Sequence, residues 1–477
     1  MRNVERGKLC ACLLVLVFVA AGLSTIAQTS SNASTQQYLV EFRGTGVPAD
    51  LSKRLSVLGG KVIDVFPGVS VAIVRGLTDH SAAMLASQSD VADVTADDLV
   101  VMSDAVHQMA PRSQAIASLA TASQPETALL YPYQWDMRAI HADLAWNMGY
   151  LGDPDVRVAV LDTGADPTHP ELLGKIDPLR SASFVPSDDA IVSQQFPGYP
   201  LWTDLNEHGT FVSSIVANNG NLVAGVSPQS SLMAVKVCTM FGTCPTSGIF
   251  QGLFFAADSG ADVINLSIAS LPRPKAGQQG FFHYLHLAVQ YALQHDVSAV
   301  VVIAGNAHVD LDHDGNGFQN FCDVPGVICV SATGPTDSGP AFLGPFQNVD
   351  SIALYSTFGS SVDVAAPGGN APRNFSAFYS LIPGLCSTTD RMVDPSGAIV
   401  PGFCSSNGFL TDFGIGTSFA APHVSGLAAQ LVARMGRGNG AQVRAAIENS
   451  ADDLGKPGAD PYYGKGRINV ARALGIR

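Results

Sequence analysis

For residues 131–477 the sequence predicts an α/β fold, a doubly wound, mostly parallel sheet with helices on both faces. A small α+β unit precedes it. Three observations lead there. Apolar runs at 156–161, 231–237, 262–268, 298–303 and 327–332 are nearly unbroken, as strands buried on both faces are. Helix-period stretches at 208–218, 248–259, 284–295, 418–435 and 440–450 are interspersed with them, the pattern of a parallel sheet with crossover helices. Asp162 and Asn306 fall just past strand ends, where such a sheet gathers its functional groups.

Residues 1–27 read as an export signal. Arg2, Arg6 and Lys8 precede an apolar run over 9–23, and Thr25 and Ala27 stand at cleavage-site positions. The run is short for a membrane span, so no stable membrane anchor is expected. The protein is expected outside the cell, or in the periplasm of a host with an outer membrane. Residues 38–102 read as a separate unit. Tyr38 to Phe42 forms a strand, and 49–58 a helix stopped by Gly59-Gly60. Residues 61–66 and 69–74 are strands joined by Pro67-Gly68, 79–87 is a second helix, and 91–101 a last strand. That βαββαβ order is the ferredoxin-like motif. Residues 103–130, with scattered Ala, Ser, Thr and Gln, read as an exposed, cleavable linker. Longer irregular inserts occupy about 180–206, 270–282, 308–323, 334–351 and 370–412.

The formal net charge of −14 argues against a nucleic-acid partner, which would call for a basic stripe. A monomer is expected. Cys10 and Cys12 leave with the signal; Cys238, Cys244, Cys322, Cys329, Cys386 and Cys404 remain as three sequence-neighbour pairs. Export admits disulfides 238–244, 322–329 and 386–404, with free buried thiols as the alternative.

Three islands carry chemistry: Asp162-Thr163-Gly164, His208-Gly209-Thr210, and the run Gly416 to His423 around Ser418. Cleavage by a serine hydroxyl needs an imidazole to take its proton and a buried carboxylate to orient that imidazole. Ser418 begins a small-residue helix, where backbone N–H groups face a developing oxyanion. The Asn306 amide adds a second donor type for that oxyanion. Singly, each residue has a structural explanation: a turn Asp, a helix-start His, a capping Ser, a post-strand Asn. Capping does not explain the small residues around Ser418. Pro422 reads as a first-turn proline. Because His208 must be neutral to accept a proton, activity is expected to fall in acid.

Together these motifs resemble the subtilisin-like serine peptidases. The likeness runs from about Tyr131 to the C-terminus. It includes Ala159 to Gly164, Thr168 to Leu172, Gly225 to Pro228, Val235 to Val237, Asp262 to Ser267 and Tyr463 to Asn469. It implies the subtilisin-like fold, Asp162, His208 and Ser418 as the catalytic triad, and Asn306 as the oxyanion donor. It also implies a secreted endopeptidase made as an autoprocessed zymogen, with 38–102 as its inhibitory propeptide and maturation between about 103 and 134. Protein or peptide substrates would lie between Ser267, Ile268 and Ala269 on one rim and Ala304, Gly305 and Asn306 on the facing wall, pairing as an added strand. The other rim falls near Met240, Phe241 and Gly242. Family members usually carry Gly where Ala269 stands, so a preference for small or medium apolar side chains is expected. The rival readings are a narrow-specificity processing peptidase and an inactive binding protein of the same fold. An esterase would carry a Gly-x-Ser-x-Gly elbow, which is missing.

No cofactor is expected for the chemistry. Asp310, Asp312 and Asp314, followed by Gly315, match the first half of a calcium loop, but Phe321 stands where the bidentate Glu belongs. A structural Ca²⁺ site and a solvated acidic turn both stay open.

Overall fold

The computed structural model describes residues 36–102, 106–108, 124–269, 273–274, 279–313, 318–337, 345–370 and 380–476. The export signal, Asp314 and the linker stretches 103–105 and 109–123 lie outside the described residues.

The N-terminal unit runs β1 (Gln36–Phe42), α1 (Leu51–Val57), β2 (Lys61–Phe66), β3 (Val71–Leu77), α2 (Asp79–Ala86) and β4 (Val91–Ala96). Its antiparallel sheet has the order β2-β3-β1-β4. Alternation along the strands makes both faces apolar. Val40, Ala72 and Val74 pack with Leu55 and Leu85 of the unit's own helices. Leu39, Val71 and Ile73 point the other way, into a core shared with the large domain. The strand expected over 91–101 breaks at Asp97-Asp98. Its second half, β5 (Leu99–Val101), leaves the sheet, and β6 (Val106–Gln108) follows.

The large domain contains β7 (Arg157–Asp162), β8 (Ala182–Ser183), α3 (His208–Val216), β9 (Ser231–Lys236), β10 (Thr243–Pro245) and α4 (Thr246–Asp258). It continues with β11 (Val263–Leu266), α5 (Gln279–Gln294), β12 (Ala299–Ile303), β13 (Val327–Thr333) and β14 (Val364–Pro367). It ends with β15 (Ile382–Leu385), β16 (Thr411–Ile415), α6 (Thr417–Met435) and α7 (Gly440–Asn449), besides shorter elements. Seven strands form a parallel sheet in the order β14-β13-β12-β11-β7-β9-β8. Within β7, Val158 and Val160 face one core while Ala159 and Leu161 face the other. The first core is built on α6, whose Ala420, Ala421, Ala428 and Ala429 are buried. Small residues let that helix come close: a Cβ on Gly426 would stand 2.6 Å from Val226 Cβ. The second core holds Phe250, Leu253 and Phe254 of α4 with Tyr284, Leu285 and Ala288 of α5.

Two further sequence readings change. Residues 124–130 are packed, not exposed throughout: Leu129 and Leu130 donate N–H groups to Asn221 and Leu222, and Leu130 is buried. A short turn of this kind leaves no periodic signal. Pro422 lies in the second turn of α6, inside the helix. The three expected disulfides, Cys238–Cys244, Cys322–Cys329 and Cys386–Cys404, are all present.

Candidate active site

Asp162 ends β7 and is fully buried. Its Oδ1 accepts the Thr163 N–H at 2.7 Å and lies 2.8 Å from His208 Nδ1. His208 is the first residue of α3. Two glycines allow β7 and α3 to meet. Gly164 has φ +109°, and a Cβ there would sit 2.3 Å from the Trp202 carbonyl; a Cβ on Gly209 would sit 2.1 Å from the Gly164 carbonyl.

A residue the sequence reading missed, Asp204, ties this corner. Its Oδ1 accepts from Thr163 Oγ1 and from the Asn206 and Glu207 N–H groups. Its Oδ2 accepts from the N–H and Oγ1 of Thr210. The Glu207 and Thr210 N–H groups lie at the start of the helix, where backbone donors lack partners within it. The only advance signal was an acid four residues before His208, in a polar loop. Glu207 holds a left-handed backbone, φ 109°, directly before His208; such strain gathers at functional sites. Its Oε2 lies against the sulfurs of the Cys386–Cys404 bridge, which leaves no thiolate there for a metal.

Ser418 is the second residue of α6 and is 2% exposed. Its Oγ donates to the Ser267 carbonyl at 3.3 Å, and His208 Nε2 has no hydrogen-bond partner among the described residues. The Ser418 hydroxyl is thus engaged by the Ser267 carbonyl. Pro422 lacks the N–H that would reach the Ser418 carbonyl four residues back. Ser267 Oγ donates to that carbonyl instead, at 2.7 Å. Asn265 Nδ2 donates to Ser267 Oγ, and Ser425 Oγ donates to Asn265 Oδ1. The sequence reading placed Ser267 on a rim but missed this network, which joins residues far apart in the chain.

Asn306 follows β12. Its Oδ1 accepts the Thr417 N–H at 2.8 Å and Thr417 Oγ1 at 2.6 Å, so the amide is oriented from the first residue of α6. Ile268, Ala269 and Ala304 are buried. Gly305 has φ +104°, and a Cβ there would lie 3.6 Å from the Ala269 methyl, so the two walls approach at that level. On the far rim, Gly242 takes φ +68° within the Cys238–Cys244 loop.

Asp310 and Asp312 lie in one turn. Asp310 accepts from Asp312 N–H and from His313, and Asp312 accepts from Ser360 N–H and Oγ. Each of these four carboxylate oxygens thus already faces a donor of the protein.

The fold and this arrangement of groups define a serine peptidase of the subtilisin type. Residues 153–466 match the subtilase family model, and the chain belongs to that family. It is 32% identical over 345 residues to thermitase from Thermoactinomyces vulgaris, covering 72% of this chain and 95% of thermitase. It is 28% identical over 466 residues to subtilisin E from Bacillus subtilis (strain 168), covering 96% of each. Two solved structures share the fold. Fervidolysin from Fervidobacterium pennivorans, a keratinolytic enzyme related to subtilisin, superposes with a TM-score of 0.67 at 22% identity, over 94% of this chain and 62% of the other. An epidermin leader peptide processing serine protease from Staphylococcus aureus gives 0.67 at 20% identity, over 93% and 98%. The protein is a subtilisin-like serine endopeptidase.

Proposed function

We propose that the chain is an exported, self-processing endopeptidase in which Ser418 is the nucleophile, His208 the general base, Asp162 its orienting acid and Asn306 an oxyanion donor. The observation that carries this is the buried Asp162–His208 contact beside a serine at a helix N-terminus. For reaction, Ser418 Oγ rotates from the Ser267 carbonyl toward His208 Nε2 and passes its proton there as it attacks. The C–N bond breaks, the amine leaves with that proton, and water, deprotonated in turn by His208, hydrolyses the ester. The Ser418 N–H and the Asn306 amide stabilise the oxyanion. Ser418→Ala should abolish peptide hydrolysis and labelling by a fluorophosphonate probe. Labelling retained in that variant would remove Ser418 from the role, and an unlabelled wild type would favour an inactive binding protein.

Residues 38–102 act in this reading as the inhibitor. Support comes from the docked face: the Phe66 ring meets those of Phe250 and Phe254 at 4.9 and 4.7 Å, and Asp97 accepts the Ser247 N–H and Oγ at the start of α4. The Ala269 methyl favours small or medium apolar residues before the scissile bond; a cleavage profile dominated by Lys or Arg would refute that.

A narrower role, processing one class of exported peptide, draws support from the long inserts and the bridged rim loop, which restrict a groove. One solved structure of similar fold is a lanthipeptide protease and another an epidermin leader peptide processing protease. Casein digestion compared with a panel of leader peptides separates this role from general proteolysis. Calcium at Asp310, Asp312 and Asp314 belongs to the same proposal; an ion there would take oxygens now facing N–H and O–H donors, and would stiffen the insert.

A further inference from the structure

The loop that leads into α3 carries backbone strain one residue before His208. Glu207 has φ 109° and ψ −29°, a left-handed conformation that a β-carbon disfavours. Such a conformation persists only where its surroundings over-determine it. Released, Glu207 would relax to negative φ and turn the first residue of α3 with it. A distant stretch, residues 386–405, holds this loop. Ser387 Oγ donates to the Asp204 carbonyl at 3.0 Å, and Thr389 Oγ1 donates to the same carbonyl at 2.7 Å. The Arg391 N–H donates to the Leu205 carbonyl at 2.8 Å. The Glu207 side chain rests on the sulfurs of the Cys386–Cys404 bridge. The stretch is itself closed twice. The bridge ties its ends, and the buried Asp390 carboxylate accepts the Cys404 N–H at 3.0 Å and the Ser405 N–H at 2.7 Å. Ser387 and Thr389 are buried, and their bonds end on Asp204, four residues ahead of His208.

We propose that Ser387 and Thr389 are positioning residues for His208: their hydroxyls hold the Asp204 carbonyl, so that the strained link at Glu207 cannot relax and the imidazole stays on Asp162. This rests on the reading of His208 as the general base. Proton transfer needs its partners within hydrogen-bond reach, and a misplacement of about 1 Å costs about 10²-fold in rate. The proposed substrate walls at 267–269 and 304–306 are built by other segments. The loss on removing the two hydroxyls therefore falls on kcat and not on KM.

The test is steady-state kinetics on one peptide substrate, with kcat counted per site titrated by a fluorophosphonate. Ser387→Ala combined with Thr389→Val should lower kcat by about 10–10²-fold and leave KM within about twofold. Thr389→Ser, which keeps both hydroxyls, should match wild type. Glu207→Gly frees the left-handed backbone of its steric cost, so the loss from the double change should shrink in that background. If the double variant does not fold, Thr389→Val alone, which keeps the Ser387 donor, should show the same split with a smaller loss. A wild-type kcat, a rise in KM in place of the fall in kcat, or an equal loss in the Glu207→Gly background would overturn the proposal. His208→Ala separates this from the underlying reading. Turnover retained in that variant would remove His208 as the base. Turnover abolished there, with an unimpaired double variant, would overturn the positioning alone.

Discussion

At the scale of single residues, the site depends on atoms held from behind. The Asn306 amide is fixed by two donors of Thr417, so Oδ1 faces α6 and Nδ2 is the end that can donate. Asn306→Leu should lower kcat by about 10²–10³-fold with little change in KM, a magnitude carried over from subtilisin's own oxyanion donor. Steady-state kinetics on one peptide substrate check it. Ser267→Ala tests a different atom. It strips the Ser418 carbonyl of the hydroxyl that replaces the missing Pro422 N–H. Leaving that buried acceptor unpaired should cost about 1–3 kcal/mol of stability and lower kcat through misplacement of the nucleophile. Unchanged melting and turnover would show that the hydroxyl is not needed there.

At the scale of elements, β9 and the helix at Pro186–Gln195 are joined through a fully buried lysine. Lys236 Nζ donates to the Thr163 carbonyl at 2.6 Å and pairs with Asp188 Oδ2 at 2.9 Å, and Asp188 also accepts the Met240 N–H. The pair therefore braces the end of β7 and the rim loop together. Removing one buried charge leaves the other uncompensated. Lys236→Met should destabilise by about 3–5 kcal/mol, and Lys236→Met with Asp188→Leu should recover much of it. Denaturant unfolding of both variants in a Ser418→Ala background, which prevents self-digestion, measures the difference. If the double variant is no better than the single one, the charge argument fails and packing is responsible.

At the scale of the whole molecule, docking of the N-terminal unit has a pH signature. Burial raises the Asp97 carboxyl above its usual range, and hydrogen bonds from Ser247 and Gln37 offset only part of the rise. A carboxyl raised on docking holds its proton more tightly docked than free, so docking takes up protons. The contact should tighten as pH falls through that raised value toward the ordinary carboxylate range near about 3.9, and be weakest above it. In a Ser418→Ala precursor, Asp97→Asn should remove this part of the dependence; thermal unfolding between neutral and mildly acidic pH reads it. An identical slope in both proteins would place the proton elsewhere. Calcium is tested on the same precursor by melting with and without chelator, where a lower Tm in chelator is expected and no shift removes the ion.

Much of this architecture was legible because it is local. The runs at 156–161 and 327–332 appear as β7 and β13 within a residue or two at each end. The four-residue β14 and two-residue β8 were missed, since so few residues carry no period. Asp162, His208, Ser418 and Asn306 were readable from motifs, whereas Asp204, Asp188 and Asn265 were not. Their roles arise from partners 6 to 160 residues away, and no spacing rule links them. The break at Asp97-Asp98 was hidden for the same reason. β5 looks like more of the same strand until β10 is there to receive it.

The sequence by itself determined the fold class, the family and the cast of polar groups, because apolar period and glycine placement are written along the chain. Tertiary structure alone decided which of those groups touch, that the second apolar face of the N-terminal sheet is covered by another domain, and that β5 and β6 each pair with a strand of the large domain. Contacts between distant segments depend on how the layers stack, and that stacking is settled by packing across the sheet, not by neighbours in sequence.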